Sequence, residues 1–398
     1  MIPPPLPPGG RSRAALGLTA AAALGRFELQ VCGNCGAVQY PPREACHVCL
    51  SDALRWRAQP EYGELIADTT LHHSNDRYFR ERLPWRLGLV RLDAGPTAVV
   101  HLHGRCAPAP CRVRVGARLD KSGQGVLLAF PIDEVPNMAD DRQLREMTCG
   151  PKGRRILVTD GTTAIGAAVV RAMLGAGAEW VWTGHAGPWK LSAGFAQLGA
   201  LPRLAPVALD LTDSRSVQKL AAQIGAEVDI LINTAEVQGV HGIASHGGTE
   251  AARSEMDVNY LGLLRLAQEF GPAMRSQGAN GQPGAVAWLN LLSVYALANF
   301  PPHGTFSASK AAALSLSQCL RAEMRPSGVR VINVFPGPID DESNQRLPPP
   351  KLTPETLAKA MVQALDDGVE DIYPGEVAQQ WFARWEENPK VLEREISA

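Results

Sequence analysis

From about Glu61 to Phe130, apolar and polar residues alternate in short runs, ELIADTTLH, WRLGLVRLD, TAVVHLHG, CRVRVGARL and VLLAFP, divided by AGP, PAP and SGQG. Successive side chains of a strand face opposite sides, so period-two runs with turn residues between them predict a small closed or partly open β-barrel. Downstream the pattern changes. ILVTDGTTAIGAAVVRAMLGAGAEWVWTGH reads as a short apolar strand, a glycine turn, an alanine-rich helix and a second strand, the opening of a βαβ unit. The alternation continues through PVALDLTD, a helix around Ser216 to Ile224, DILINTAEV, a long helix from about Thr249 to Ser276, AVAWLNLLS, a helix beginning near Phe306, and VRVINVFPGP. Strands alternating with helices predict a doubly wound parallel sheet covered on both faces, with a ligand crevice at the carboxyl ends of the strands.

The start, MIPPPLPPGGRSRAALGLTAAAALG, has two arginines before an alanine/leucine stretch, which superficially copies a signal peptide. Gly17 and Thr19 interrupt the apolar part, and a cysteine cluster suited to a reduced compartment follows. The expectation is a disordered proline-rich tail, a short amphipathic helix and a cytoplasmic protein. No apolar run reaches the length that would span a bilayer. A net charge of -1 over 398 residues gives no whole-chain reason to expect nucleic acid or an anionic membrane, and leaves small molecules and proteins as partners.

Four of the eight cysteines lie in CGNCGAVQYPPREACHVC. Cys32, Cys35, Cys46 and Cys49 form two CxxC knuckles; two residues between cysteines let both thiolates reach one ion, and two knuckles complete a tetrahedral shell. Zinc is the first choice, and with all four positions filled by protein it is structural. Two disulfides in a secreted protein, or iron in a rubredoxin-like site, are the alternatives. His47, inside the second knuckle, reads as a bystander. His101 and His103 share a strand face without a third ligand nearby and read as ordinary half-buried histidines.

FELQVCGNCG, YPPREACHVC, PWRLGLVRLDAGP and VRVGARL resemble the acyl-CoA-associated family that joins a rubredoxin-like zinc ribbon to an OB-fold, over about Leu24 to Ile132. The resemblance implies a partner more than a catalyst: such domains dock on thiolase-like or aldolase subunits, or accompany hydratases, that process CoA thioesters. OB-folds also bind nucleic acid, but the interleaved aromatic and basic stripe that stacks bases is absent here.

The rest, from Lys152 to Ala398, resembles the short-chain dehydrogenase/reductase family, a Rossmann-type fold. The markers fall in register: TDGTTAIG, Asp210 in LDLTD, NTAE, Asn259 in DVNYLG, Ser293, Lys310 and PGP at 336–338. The resemblance implies cofactor contacts at Thr159, Gly161, Ile165, Gly166, Asp210, Asn233 and Lys310, and a catalytic set of Asn259, Ser293, Lys310 and a tyrosine four residues before the lysine. That position is Phe306. A benzyl ring has no exchangeable proton, so Ser293 and Lys310 remain without the acid or base they would serve. Tyr295 and His303 are the neighbouring substitutes to weigh.

The cofactor site departs from the family too. In TGxxxGxG the glycines permit the tight turn and close approach to a diphosphate; here Asp160 and Ala164 stand at two of those positions and Gly166 remains. Gly161 relieves the turn without cancelling the carboxylate's charge. NTAE replaces NNAG, so Glu236 brings an anion where a glycine is wanted, and His185 decides neither NAD nor NADP. NAD(P) binding is doubtful.

The expected organisation is a tail and helix over 1–26, a zinc ribbon over 27–60, an OB-fold over 61–135, a linker over 136–152 and the dehydrogenase-like domain over 153–398. YLGLLRLAQEF and AAALSLSQCLRAEM keep apolar faces that form dimer interfaces in the family, implying a homodimer or a heterodimer with an intact dehydrogenase; the same faces would otherwise be core. DDESNQRLPPP, where the family has a substrate lid, is short and polar. The leading expectation is an accessory, non-catalytic subunit of a thiolase-like or aldolase complex acting on acyl-CoA thioesters. The alternative is an NAD(P)-dependent reductase or dehydrogenase of β-keto or β-hydroxyacyl-CoA, with a nucleic-acid module third.

Overall fold

The computed structural model describes residues 5–133, 136–187, 195, 198, 200–240, 242–244, 248–277 and 284–397. Residues 1–4 of the expected tail and 134–135 at the expected end of the barrel lie outside the described residues. The chain divides into two units: Pro5–Cys149 with Asp366–Glu370, and Gly150–Leu365 with the chain from Asp371 onward.

In the first unit, helix α1 (Leu16–Ala23) precedes a three-stranded antiparallel sheet, β1 (Glu28–Cys32), β2 (Val38–Gln39) and β3 (Leu54–Ala58), in the order β2-β1-β3. Then β4 (Tyr62–Leu71), a helical turn α2 (Arg77–Arg80), β5 (Trp85–Leu92), β6 (Thr97–Leu102), β7 (Cys111–Leu119) and β8 (Gly125–Pro131) close a barrel ordered β4-β5-β6-β8-β7. The period-two runs have their cause here: Leu65, Val90, Val100, Val113, Val115 and Leu127 fill one core with Leu18, Ala22, Phe27 and Leu29.

Three expectations change at this unit. The helix is not amphipathic: LGLTAAAA carries no charge and leaves Leu16 51% exposed. It packs instead by close approach. A β-carbon on Gly125 would sit 2.9 Å from the Leu18 backbone, and Thr19 Oγ1 accepts the Gly125 N–H at 3.0 Å. The proline-rich tail, from Pro5, is not free chain either, for Pro7 is buried and Arg11 reaches the buried Asp120 at 3.9 Å. The stretch 136–152, expected as a linker, folds onto the barrel as far as Cys149. Met138, Leu144 and Met147 join Trp85, Leu128 and Phe130 in one apolar cluster, because these barrel side chains face outward and need cover. Polar straps fix it: Asp141 accepts N–H groups of Gly104 and Gln143 at 2.7 Å each, and the Gln143 side-chain amide donates to the Pro84 carbonyl.

His101 and His103 part company here. His101 Nδ1 accepts from Trp85 Nε1 at 3.0 Å, and burial pushes its pKa down to about 4, so it stays neutral. His103, 2% exposed and thus more than half-buried, accepts the Arg105 N–H at Nδ1 and turns Nε2 toward Asp141 at 3.9 Å.

In the second unit β9 (Arg155–Val158), α3 (Ala164–Gly175), β10 (Trp180–His185), β11 (Leu204–Ala208), α4 (Ser214–Ile224), β12 (Ile230–Asn233), α5 (Glu250–Met256), α6 (Leu263–Ser276), β13 (Ala287–Leu291), α7 (Gly304–Met324), β14 (Arg330–Val334), α8 (Pro354–Asp367), β15 (Asp371–Ile372), α9 (Glu376–Glu387) and α10 (Pro389–Ile396) follow one another. The seven strands pair in parallel, β11-β10-β9-β12-β13-β14-β15. The order reverses between β9 and β12, the switch point where such sheets open a ligand crevice. The long helix expected over 249–276 is interrupted: Asp257–Gly262 winds as a π-helix between α5 and α6. Among the described residues no helix is long and apolar enough to cross a membrane.

Trp85 is 1% exposed. Trp85→Ala should lower unfolding stability by about 4 kcal/mol, and limited proteolysis should then cut within 136–149, where the wild-type chain resists.

Candidate functional site

The four cysteines converge. Cys32 and Cys49 sulfurs lie 3.6 Å apart, as do those of Cys35 and Cys46, and all four Sγ atoms sit within 4.8 Å of one another. A disulfide needs about 2.05 Å, whereas tetrahedral Zn–S bonds of about 2.3 Å separate sulfurs by about 3.8 Å. The set therefore fits a four-thiolate ion and excludes two disulfides. Each knuckle turns backbone N–H groups toward sulfur: the Cys35 amide helps hold Cys32 down to about pKa 6, and the amides of Cys49 and Val48 lower Cys46. His47 Nδ1 faces the Gln39 side chain at 3.2 Å, outside this sulfur set. The residue after each second cysteine takes a left-handed backbone. In the first knuckle it is Gly36 (φ 75°); in the second it is Leu50 (φ 62°), 80% exposed.

The remaining candidates gather at the carboxyl ends of the parallel strands. Phe306, at the start of α7, is 2% exposed, and its ring centroid lies 5.4 Å from Lys310 Nζ. The benzyl group thus fills the place beside the lysine. Lys310 is itself 2% exposed; its Nζ donates to the Leu291 carbonyl at 2.9 Å and meets Glu236 Oε2 at 2.8 Å. The anion that departs from the family pattern and the lysine that lost its phenol partner are one ion pair.

Ser293 is turned to its own backbone: Oγ accepts the Tyr295 N–H at 3.2 Å and donates to the Pro336 carbonyl at 3.5 Å. Asn259, inside the π-turn, grips the loop after β12, with Oδ1 accepting the Val237 N–H and Nδ2 donating to the Val237 carbonyl, each at 2.9 Å, and Nδ2 also reaching Ser309 Oγ at 2.8 Å. Such single π-turns recur at functional sites because the extra residue re-aims a side chain. Tyr295 stacks on Phe300 and His303, and burial raises its phenol above the usual range. His303, 1% exposed, points Nδ1 at the Gly239 carbonyl at 3.0 Å. Of the two candidate substitutes for a catalytic acid, Tyr295 is packed by its ring among aromatic neighbours and His303 is held through Nδ1.

At the β9 turn, Asp160 Oδ1 accepts the Thr162 N–H at 2.8 Å and its hydroxyl at 2.6 Å. An N–H that could face a diphosphate is thereby taken by the turn's own carboxylate. Gly161 and Gly166 have steric reasons of their own: β-carbons there would lie 1.9 Å from Thr183 Oγ1 and 1.8 Å from the Asp160 carbonyl. Thr163 caps α3 by accepting the Gly166 N–H, with Ala164 at the first helical position and Ile165 buried behind it. Thr159 Oγ1 donates to Asn233 Oδ1 at 2.9 Å, tying β9 to β12, and Asp210 spends its carboxylate on Thr212. His185, at the end of β10, lies edge-on to Phe195, and its Nδ1 is buried without a hydrogen bond. Tested against a nicotinamide dinucleotide, the set does not fit: turn and lysine alike are already engaged with carboxylates of the chain.

The segment after Pro338 adds groups that sequence reasoning missed. Asn344, 4% exposed, accepts from Gln238 Nε2 at 3.1 Å, and Asp341 accepts both N–H groups of Asn344. Burial and the nearby Glu236 charge push the Asp341 carboxyl up. The short polar run is thus bonded down onto the β12 loop. Glu255, 1% exposed, accepts the Gly239 N–H at 2.8 Å from the other side.

A doubly wound parallel sheet with Asn259, Ser293 and Lys310 gathered at the carboxyl ends of its strands defines a dinucleotide-fold protein, preceded along the chain by a four-cysteine ribbon. Residues 154–351 match the short chain dehydrogenase model, 19–55 the rubredoxin-like zinc ribbon domain of ChsH2, and 56–136 the C-terminal OB-fold domain of ChsH2. Dehydrogenase/reductase SDR family member 7C of Mus musculus is 30% identical over 238 residues, covering 56% of this chain and 71% of that protein. A short chain dehydrogenase from Burkholderia cenocepacia J2315, solved in complex with NADP, is 33% identical with a TM-score of 0.57, covering 63% of this chain and 99% of that one. Short-chain dehydrogenase PC-15 of Penicillium crustosum is 31% identical over 160 residues, or 37% of this chain, which spans 55% of that relative's length. The chain belongs to the short-chain dehydrogenase family, and carries ahead of that domain a zinc ribbon and OB-fold of the ChsH2 type.

Metal analysis of the purified chain should give one zinc per molecule, and its removal by chelator should abolish protection of the β1–β3 amides in hydrogen exchange. Gly166→Ala should cost about 2 kcal/mol, read from the denaturant midpoint, with or without any nucleotide present.

Proposed function

We propose that this protein is an accessory, non-catalytic subunit that assembles with a thiolase-like or aldolase enzyme acting on acyl-CoA thioesters. The observation that carries the reading is Phe306: a buried benzyl ring occupies the proton donor's place, beside a lysine already neutralised by Glu236. Hydride transfer to a carbonyl needs a proton delivered to the same oxygen; burial raises the Tyr295 phenol above the usual range, which makes it a reluctant donor, and His303 Nδ1 is held at the Gly239 carbonyl. The ChsH2-type ribbon and barrel support the acyl-CoA assignment, as the part that docks the partner and shapes the thioester's path. The dehydrogenase domain then serves as an assembly surface, forming a homodimer or a heterodimer with an intact dehydrogenase through the faces of α5–α6 and α7. The protein works in the cytoplasm.

A second reading, an NAD(P)-dependent reductase or dehydrogenase of β-keto or β-hydroxyacyl-CoA, draws on the likeness to a chain solved with NADP. One experiment separates the two. The full chain should show no oxidation of NADPH or NADH with 3-ketoacyl-CoA substrates, and should co-purify from its native source with a thiolase-like or aldolase chain. Turnover that disappears in Lys310→Ala would overturn the accessory reading.

A further inference from the structure

Four of the parallel strands that edge the crevice are followed by a carboxylate: Asp160 after β9, Asp210 after β11, Glu236 after β12 and Asp341 after β14. Parallel sheets take dinucleotides at this edge, with the diphosphate against backbone N–H groups and a helix N-terminus. Here the edge carries the charge of the ligand. Asp160 and Asp210 satisfy themselves on neighbouring turn residues, but Glu236 does something else: its Oε2 sits 2.8 Å from an ammonium that is 2% exposed and whose other partner is the carbonyl ending β13. The loop that carries Glu236 is gripped by Asn259 at Val237, by Glu255 at Gly239 and by Asn344 at Gln238.

From this geometry we infer that Glu236 is an internal occupant of the dinucleotide crevice: its carboxylate holds Lys310 in place of a ligand and, with Asp341 beside it, excludes nicotinamide dinucleotides from this chain. The pair is a closed latch. A ribose hydroxyl offers Lys310 a neutral acceptor, whereas Glu236, its side chain 14% exposed, offers a full charge, and charge-assisted contacts are the stronger ones. A bound diphosphate would bring further negative charge to an edge whose buried cation Lys310 is already paired with Glu236. The inference deepens the accessory reading but stands on different atoms, since Phe306 governs proton delivery and Glu236 governs binding.

The test is calorimetric titration of the full, zinc-loaded chain with NADPH and with NADH. The Asp160→Gly chain serves as the reference, so that the turn's own carboxylate does not mask the effect, and Asp160→Gly with Glu236→Gly is compared with it. The double variant should bind at least about tenfold more tightly than the single one, and Lys310→Ala added to it should remove the gain. Glu236→Gln in the same background keeps the side-chain volume while discharging the carboxylate, and should recover part of the gain if the glycine variant fails to fold. Micromolar binding by the wild-type chain, or equal affinities across the Glu236 series, would overturn the inference. Binding without turnover in the wild type overturns this inference alone, and turnover would also overturn the accessory reading.

Discussion

A lysine ammonium that is 98% hidden from water has to be answered by a negative charge or not exist as a cation at all. In this chain the answer comes from its own backbone loop, and much of the second unit is arranged to keep it there. The carbonyl that ends β13 takes one N–H of Lys310 and the Glu236 carboxylate another. The loop bearing that carboxylate is then tied by Asn259 and Glu255 from the α5 side, by His303 from the α7 side and by Asn344 from the segment after β14. Breaking a buried pair by removing one partner typically costs 3–5 kcal/mol, so these residues share one constraint.

Structural constraints, of which this pair is one, account for family markers that stand beside departures. Asn259 still holds the β12 loop, Gly166 still clears the Asp160 carbonyl, and Thr159 still joins two strands. Each has a structural reason to persist that asks nothing of a cofactor. Ser293 is similar, with a hydroxyl that begins a short helical turn. Residues kept for folding are poor witnesses to chemistry, and fold likeness does not establish an activity.

The alternation of apolar residues made the barrel and the parallel sheet legible, and cysteine spacing made the metal centre legible, because both are local rules. The pairing of Glu236 with Lys310 was not, although the two charges stood in plain view as separate oddities, 74 positions apart. An orphaned cation and an intrusive anion assigned to one site were the available signal. The fate of 136–149 was hidden for a related reason: Met138, Leu144 and Met147 are too sparse to announce an element, and only outward-facing Trp85, Leu128 and Phe130 give them something to cover. The π-turn at Asp257–Gly262 leaves no mark on the helical period coarse enough to read. Polar groups such as Gln238 and Asn344 carried no motif, and their role follows from long-range placement alone.

Leu50 shows what the four-sulfur centre imposes on its surroundings. Knuckle geometry demands a left-handed backbone after the second cysteine, which glycine adopts without penalty and a side-chain-bearing residue adopts at roughly 1–2 kcal/mol. The chain accepts that penalty and gains no burial from it, since the isobutyl group stands 80% in solvent. Folding therefore gives no reason for a leucine there. The Leu50 N–H donates to the Cys46 carbonyl at 3.0 Å, so the turn that brings the second pair of sulfurs together also mounts an oily tip facing outward.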